Sequence, residues 1–116
     1  MFNVVIIGGE DCGNYEFFKQ KVIQLTKEKA RTEGMTIYTT GDEYVKQLSQ
    51  KYYIDTYFIE CDWNTYGKDA LKKRNERLLS DADALIYFDT NKKDFNIIYE
   101  IAKSKNIPCR RIAIDH

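Results

Sequence analysis

The sequence predicts an α/β fold, a three-layer sandwich with a mainly parallel sheet of about five strands and helices on both faces, and three observations predict it. Short β-branched and aromatic runs alternate along the chain with longer amphipathic segments rich in lysine and glutamate. Glycines stand at the joints, as Gly8-Gly9, Gly34, Gly41 and Gly67. The resulting order, strand then helix throughout, requires parallel strands, because each parallel return needs a crossover and a helix supplies it.

The elements follow in order. Residues 3–7 (NVVII) form a β-branched run that ends on Gly8-Gly9, the pattern of a buried parallel strand entering a tight turn. Residues 15–33 carry Phe17, Phe18, Val22, Leu25 and Ala30 near helical spacing, and Gly34 follows as a stop. Residues 35–40 (MTIYTT) predict a second strand, Gly41 a turn, and residues 42–51 a second helix. Residues 54–60 (IDTYFIE) predict a third strand, followed by a polar and aromatic loop over 61–67 (CDWNTYG). Residues 68–79 predict a helix with Ala70, Leu71, Leu78 and Leu79 as its apolar positions, and residues 84–88 (ALIYF) a fourth strand. Residues 94–105 predict a last helix with Phe95, Ile98, Ile101 and Ala102 inward. Pro108 precedes a final strand over 109–114, where Arg110 and Arg111 indicate a sheet edge.

A chain of 116 residues is the size of one domain, so residues 1–116 are expected to form one unit. Eighteen basic residues balance eighteen acidic ones, which removes the overall positive field that non-specific nucleic-acid binding needs. Three widely spaced cysteines, Cys12, Cys61 and Cys109, and the single His116 make neither a disulfide framework nor a zinc site, so no metal or cofactor is expected. The absence of a signal peptide and of a membrane-length apolar run predicts a cytoplasmic protein with no membrane partner. Nine tyrosines, each with an apolar ring and a hydroxyl, suit pocket walls and packed surfaces alike and make a homodimer an expectation.

In open parallel sheets ligands sit at the carboxyl ends of the strands. That rule selects four loops, over residues 8–14, 40–43, 61–67 and 89–94. In the first, Gly8 and Gly9 let backbone amides approach a ligand, and the helix beyond presents unpaired N–H groups suited to phosphate. An ordinary strand-to-helix turn also favours glycine, and the stretch GGEDCG lacks both the Walker lysine and the GxGxxG spacing. Asp11 is placed to accept from a ribose hydroxyl or to cap the helix. Thr40 and Gly41 belong to the second loop, Trp63 and Tyr66 to the third, where their rings would stack on a base, and Asp89 and Asn91 to the fourth. Arg74 and Asn75 follow on the third long helix, with a guanidinium and a carboxamide for a phosphate or a base edge. The competing assignment has Trp63 as a loop anchor, Tyr66 as cover for the sheet edge, and Arg74 paired at the surface with Asp81 or Glu76.

The stretches VVIIGGEDCGNY, DWNTYGK, the pair Arg74-Asn75, ADALIYFD and Ile107-Pro108 together resemble the YspA-like branch of the SLOG superfamily, over nearly the whole chain. The DW..YGK loop and the Arg-Asn pair are its most specific parts. The resemblance implies a Rossmann-like fold that binds or senses a nucleotide or nucleotide-derived ligand such as an ADP-ribose relative. It implies ligand contacts from Gly8, Gly9, Asp11, Thr40, Gly41, Trp63, Tyr66, Arg74, Asn75, Asp89 and Asn91. The chain departs from the pattern at Glu10, where relatives carry a basic residue, and at TTGDE, which replaces a glycine-rich GG.RG.D segment. The PGG.GT..E signature of the LOG hydrolases is missing.

A second resemblance covers SDADALIYFDTNKKDFNIIYEI, which is similar to the nucleoside deoxyribosyltransferases. It implies Glu100 as the nucleophilic carboxylate, with Asp89 and Asp94 nearby, because a carboxylate can attack an anomeric carbon as the base departs. The glycine and threonine of that family's pattern are Asn96 and Ile97 here. Three outcomes therefore stand open at this point: a nucleotide-binding or sensing module, an enzyme acting on an N-glycosidic bond, and an interaction protein that has lost the site.

Overall fold

In the computed structural model the described residues are 1–90 and 94–114. Strand β1 (Phe2–Ile7) leads through a short 3-10 turn (Glu10–Cys12) into helix α1 (Tyr15–Glu33) and strand β2 (Met35–Thr39). Helix α2 (Glu43–Tyr52) and strand β3 (Asp55–Phe58) follow, then the short helix α3 (Trp63–Tyr66), a second 3-10 turn (Gly67–Asp69) and helix α4 (Ala70–Leu78). Strand β4 (Ala84–Asp89), helix α5 (Asp94–Ser104) and strand β5 (Cys109–Ala113) complete the order. All five strands are parallel and lie in the order β3-β2-β1-β4-β5, a Rossmann-like arrangement.

Each face of the sheet is covered by its own pair of helices, and the two-residue alternation of β1 divides the core between them. Phe2, Val4 and Ile6 pack with Ile37, Ile86 and Phe88 against Phe18 and Val22 of α1 and Val45 and Leu48 of α2. Val5 packs with Leu85 and Tyr87 against Leu78 of α4, Leu79, and Ile98 and Ala102 of α5. Phe18 is fully buried, its ring 5.2 Å from that of Phe88 and 5.7 Å from that of Tyr44. Burying a side chain of this size contributes roughly 2–3 kcal/mol, so the two cores outweigh any surface pairing in holding the layers together.

Most elements fall where the periodicity puts them, and α1 has the predicted bounds. Residues 61–67 depart from the expected loop. Asp62 accepts from the Thr65 amide at 3.1 Å and thereby nucleates a single helical turn, so the long helix starts at Ala70 rather than at residue 68. The Thr65 hydrogen bonds also hold the Asp62 carboxyl below its usual range. In α1 the inward position expected of Leu25 belongs instead to Thr26, whose hydroxyl donates to the Val22 carbonyl at 2.7 Å, while Leu25 is exposed. An i–4 bond to the backbone lets the threonine enter the core without an unpaired donor. Strand β5 is an edge, as Arg110 and Arg111 predict, and both are exposed.

Candidate functional site

The chain leaves β1 toward β2 on one side of the sheet and returns to β4 on the other, so the strand order reverses between β1 and β4. Crevices form at the carboxyl ends of strands at such a point, because the loops above them diverge to opposite faces. Here the crevice is a cleft of about 170 Å³. Ile7 and Gly8 at the end of β1, Tyr87 of β4 and Ile98 of α5 make its floor. Glu10 and Asp11 come from the first loop, Thr40, Gly41 and Asp42 from the second, and Arg74 and Asn75 from α4.

The first loop is set by a close backbone approach. Gly8 has φ +78°, and a β-carbon there would lie 2.5 Å from the carbonyl oxygen of Phe88 on the neighbouring strand. The 3-10 turn then closes through Asp11 N–H to Gly8 O at 3.1 Å and Cys12 N–H to Gly9 O at 3.2 Å. Asn14 caps α1, its Oδ1 accepting from the Phe17 amide at 3.1 Å, so the capping position considered for Asp11 belongs to Asn14. The start of α1 is thus set back from the cleft behind the 3-10 turn.

Asp42 joins the first two loops. Only 4% exposed, it caps α2 by accepting from the amides of Tyr44 at 3.0 Å and Val45 at 3.3 Å through Oδ1. Its carboxylate also accepts from the backbone amides of Gly9 and Glu10, the latter at 3.4 Å through Oδ2. Glu10 reciprocates, its Oε2 accepting from the Glu43 amide at 3.1 Å. The amides that a glycine turn would offer to an anion are therefore occupied from within the protein, by two carboxylates exchanged between neighbouring loops. Burial raises the Asp42 carboxyl above its usual range, and the amide hydrogen bonds oppose the shift without cancelling it.

Across the cleft, Asn75 is 2% exposed. Its Oδ1 accepts from Arg74 Nε at 3.3 Å and from Nη2 at 3.1 Å, which orients the guanidinium. Among the described residues Arg74 forms no ion pair with Asp81 or Glu76, and Glu76 lies 3.9 Å from Lys73 instead. The side-chain nitrogen of Asn75 likewise has no acceptor among the described residues.

Of the residues picked from the sequence, Gly8, Asp11, Thr40, Gly41, Arg74 and Asn75 line this cleft. Gly9 lies beneath it, buried where a β-carbon would come within 2.8 Å of both Phe18 and the Asp42 carboxylate. Trp63 and Tyr66 do not line it; Trp63 is 60% exposed, and Tyr66 carries Lys73 Nζ 6.0 Å from its ring centroid. Asp89, 4% exposed at the end of β4, accepts from Arg111 Nε at 2.6 Å, tying β4 to the edge strand. Glu100 is exposed in a shallow groove between α4 and α5 with Lys72 and Glu76, away from the cleft. Asn91 lies outside the described residues.

Sequence reasoning missed Asp42, Ile7, Tyr87 and Ile98. Asp42 had a readable signal, an aspartate directly before an apolar helical pattern, which marks a cap rather than a first helical residue. Among the described residues no group of three or more histidine, cysteine or acidic side chains is placed to hold a metal ion. None of the described helices is long and apolar enough to cross a membrane.

Fold and cleft together define a Rossmann-like α/β sandwich with a polar crevice at its topological switch point. Compared with known proteins, the chain matches no family model and no curated sequence.

Proposed function

We propose that this protein binds a nucleotide-derived small molecule in the β1/β4 crevice and acts as a binding or sensing module of SLOG-like type. The observation that carries the proposal is the convergence of Gly8, Asp11, Thr40, Gly41, Arg74 and Asn75, drawn from three separate segments, on one cleft at the switch point. Arg74 supports it further, because a half-buried guanidinium held by a buried carboxamide and unpaired with any described carboxylate is oriented to receive a ligand acceptor. The volume of about 170 Å³ suits a sugar or a base better than a whole dinucleotide, since pockets that enclose drug-sized ligands run from roughly 300 Å³ upward.

Thermal-shift and calorimetric titration with nucleosides, nucleoside monophosphates, NAD and ADP-ribose tests the proposal, with chromatography of each mixture for released base. The expected result is saturable binding that Arg74→Ala abolishes, without base release. Binding unaffected by Arg74→Ala would place the ligand elsewhere and refute the assignment. Base release that Glu100→Gln abolishes would replace it by glycosidic-bond catalysis.

The cytoplasm and a homodimer belong to the same proposal. The exposed Tyr52, Tyr53, Tyr57 and Phe58 gather on and beside edge strand β3, which has an unpaired backbone edge. Sedimentation equilibrium at micromolar concentration should give twice the chain mass, and a monomer would end that part of it.

A further inference from the structure

Among the described residues that line the cleft, Glu10, Asp11 and Asp42 bring carboxylates and Arg74 a guanidinium. Two of the carboxylates are built into its wall. Asp42 takes the amides of Gly9, Glu10, Tyr44 and Val45, and Glu10 takes that of Glu43. These amides are the groups that would otherwise bind an anion at a glycine turn or at the start of α2. A phosphate brought to these amides finds them engaged and meets the charge of Glu10 and Asp42. A hydroxyl brought there can donate to Glu10, whose exposed carboxylate takes the Glu43 amide through one oxygen and keeps further acceptor sites. Opposite stands the reverse chemistry. Asn75, 2% exposed and lining the cleft, has a side-chain nitrogen with no acceptor among the described residues, and Arg74 beside it carries further unpaired N–H donors. Donors that line the cleft give their hydrogen bonds to whatever occupies it, and a ligand acceptor placed there replaces water.

We infer that Asp42, clasped with Glu10, is a built-in occupant of the anion position, and that the cleft selects an uncharged nucleoside over its phosphorylated forms. Acceptors of the ligand's base meet Arg74 and Asn75, and its hydroxyls meet the acidic loops. The inference rests on the proposed binding function and narrows it to a ligand class.

Calorimetry on the full chain decides it, with adenosine, guanosine, cytidine and uridine compared with their 5′-monophosphates and with ADP-ribose. The expected result is that the preferred nucleoside binds at least about tenfold more tightly than its monophosphate, and that the gap narrows as added salt screens the carboxylates. Glu10→Gln, which keeps an oxygen for the Glu43 amide and removes the charge, should narrow it too. Asp42→Asn should narrow it further; should that variant fail to fold, the Glu10 variant and the salt series still decide. A monophosphate or ADP-ribose that binds as tightly as the nucleoside or more so, and is lost in Arg74→Ala, overturns the inference and leaves the binding function standing. Absence of binding by every compound overturns both.

Discussion

Replacing Gly8 by alanine tests whether the cleft floor depends on the close approach of two backbones. Three contributions decide the magnitude. With φ at +78°, an L-residue pays a left-handed penalty of about 1–2 kcal/mol. Its β-carbon would stand 2.5 Å from the Phe88 carbonyl oxygen. That oxygen belongs to β4, whose pairing with β1 runs from Val4↔Ala84 to Ile7↔Tyr87, so it cannot yield without pulling on the sheet. Overpacking of this kind costs about 1–3 kcal/mol. The loss of unfolded-state freedom on changing glycine to alanine returns about 0.4–1 kcal/mol. The net expectation is a loss of about 1–4.6 kcal/mol, and with an unfolding entropy of about 2.1 cal/mol/K per residue over 116 residues this lowers Tm by about 4–19 °C. Urea unfolding followed by far-UV circular dichroism measures the loss, with an unchanged slope confirming that only stability has moved. Gly67 is the control, because it is exposed and has φ +53° with nothing within 4 Å of where a β-carbon would stand. Gly67→Ala should cost about 1–2 kcal/mol, backbone strain alone reduced by the unfolded-state gain. A Gly8→Ala loss no greater than that of Gly67→Ala would refute the close approach.

Two further substitutions probe the clasp and the core. Asn at position 42 can keep the α2 cap through its oxygen but turns an amide nitrogen toward the Gly9 and Glu10 N–H groups, so Asp42→Asn should cost about 1–3 kcal/mol in urea unfolding. Because folding raises the Asp42 carboxyl, its contribution is fully present below the unfolded pKa of about 3.9 and declines as pH rises through the folded value. The stability gap between wild type and variant should therefore narrow with rising pH; a gap that widens would contradict the burial argument. Phe18→Ala removes a fully buried ring between Phe88, Tyr44 and Gly9 and should cost about 3–5 kcal/mol, with loss of cooperative near-UV signal at lower urea. A loss under about 1 kcal/mol would mean that α1 does not dock on the sheet in this way.

The fold was legible because it rests on local and periodic properties. A β-branched run ending at Gly8 makes β1 whatever the partners are, and the amphipathic spacing with Gly34 behind it bounds α1 to the residue. The paired arginines at positions 110 and 111 carry the edge position of β5 in the same way. Even the cleft was half readable, since the rule that ligands meet the carboxyl ends of parallel strands selects the loops of Gly8 and Thr40 before any coordinates are known. Where chemistry depended on which loops touch, the sequence was silent. Glu10 and Asp42 stand 32 residues apart, and each is an ordinary loop acid until β1 and β2 pair and bring its carboxylate to a backbone amide of the other loop. Trp63, Asp89 and Glu100 illustrate the opposite case, residue types suited to a site that the crossing chain leaves outside this cleft. Periodicity reports which side of an element is apolar, a property of neighbours along the chain. Which amides a carboxylate reaches is a property of neighbours in space, and here the order β3-β2-β1-β4-β5 alone brings them together.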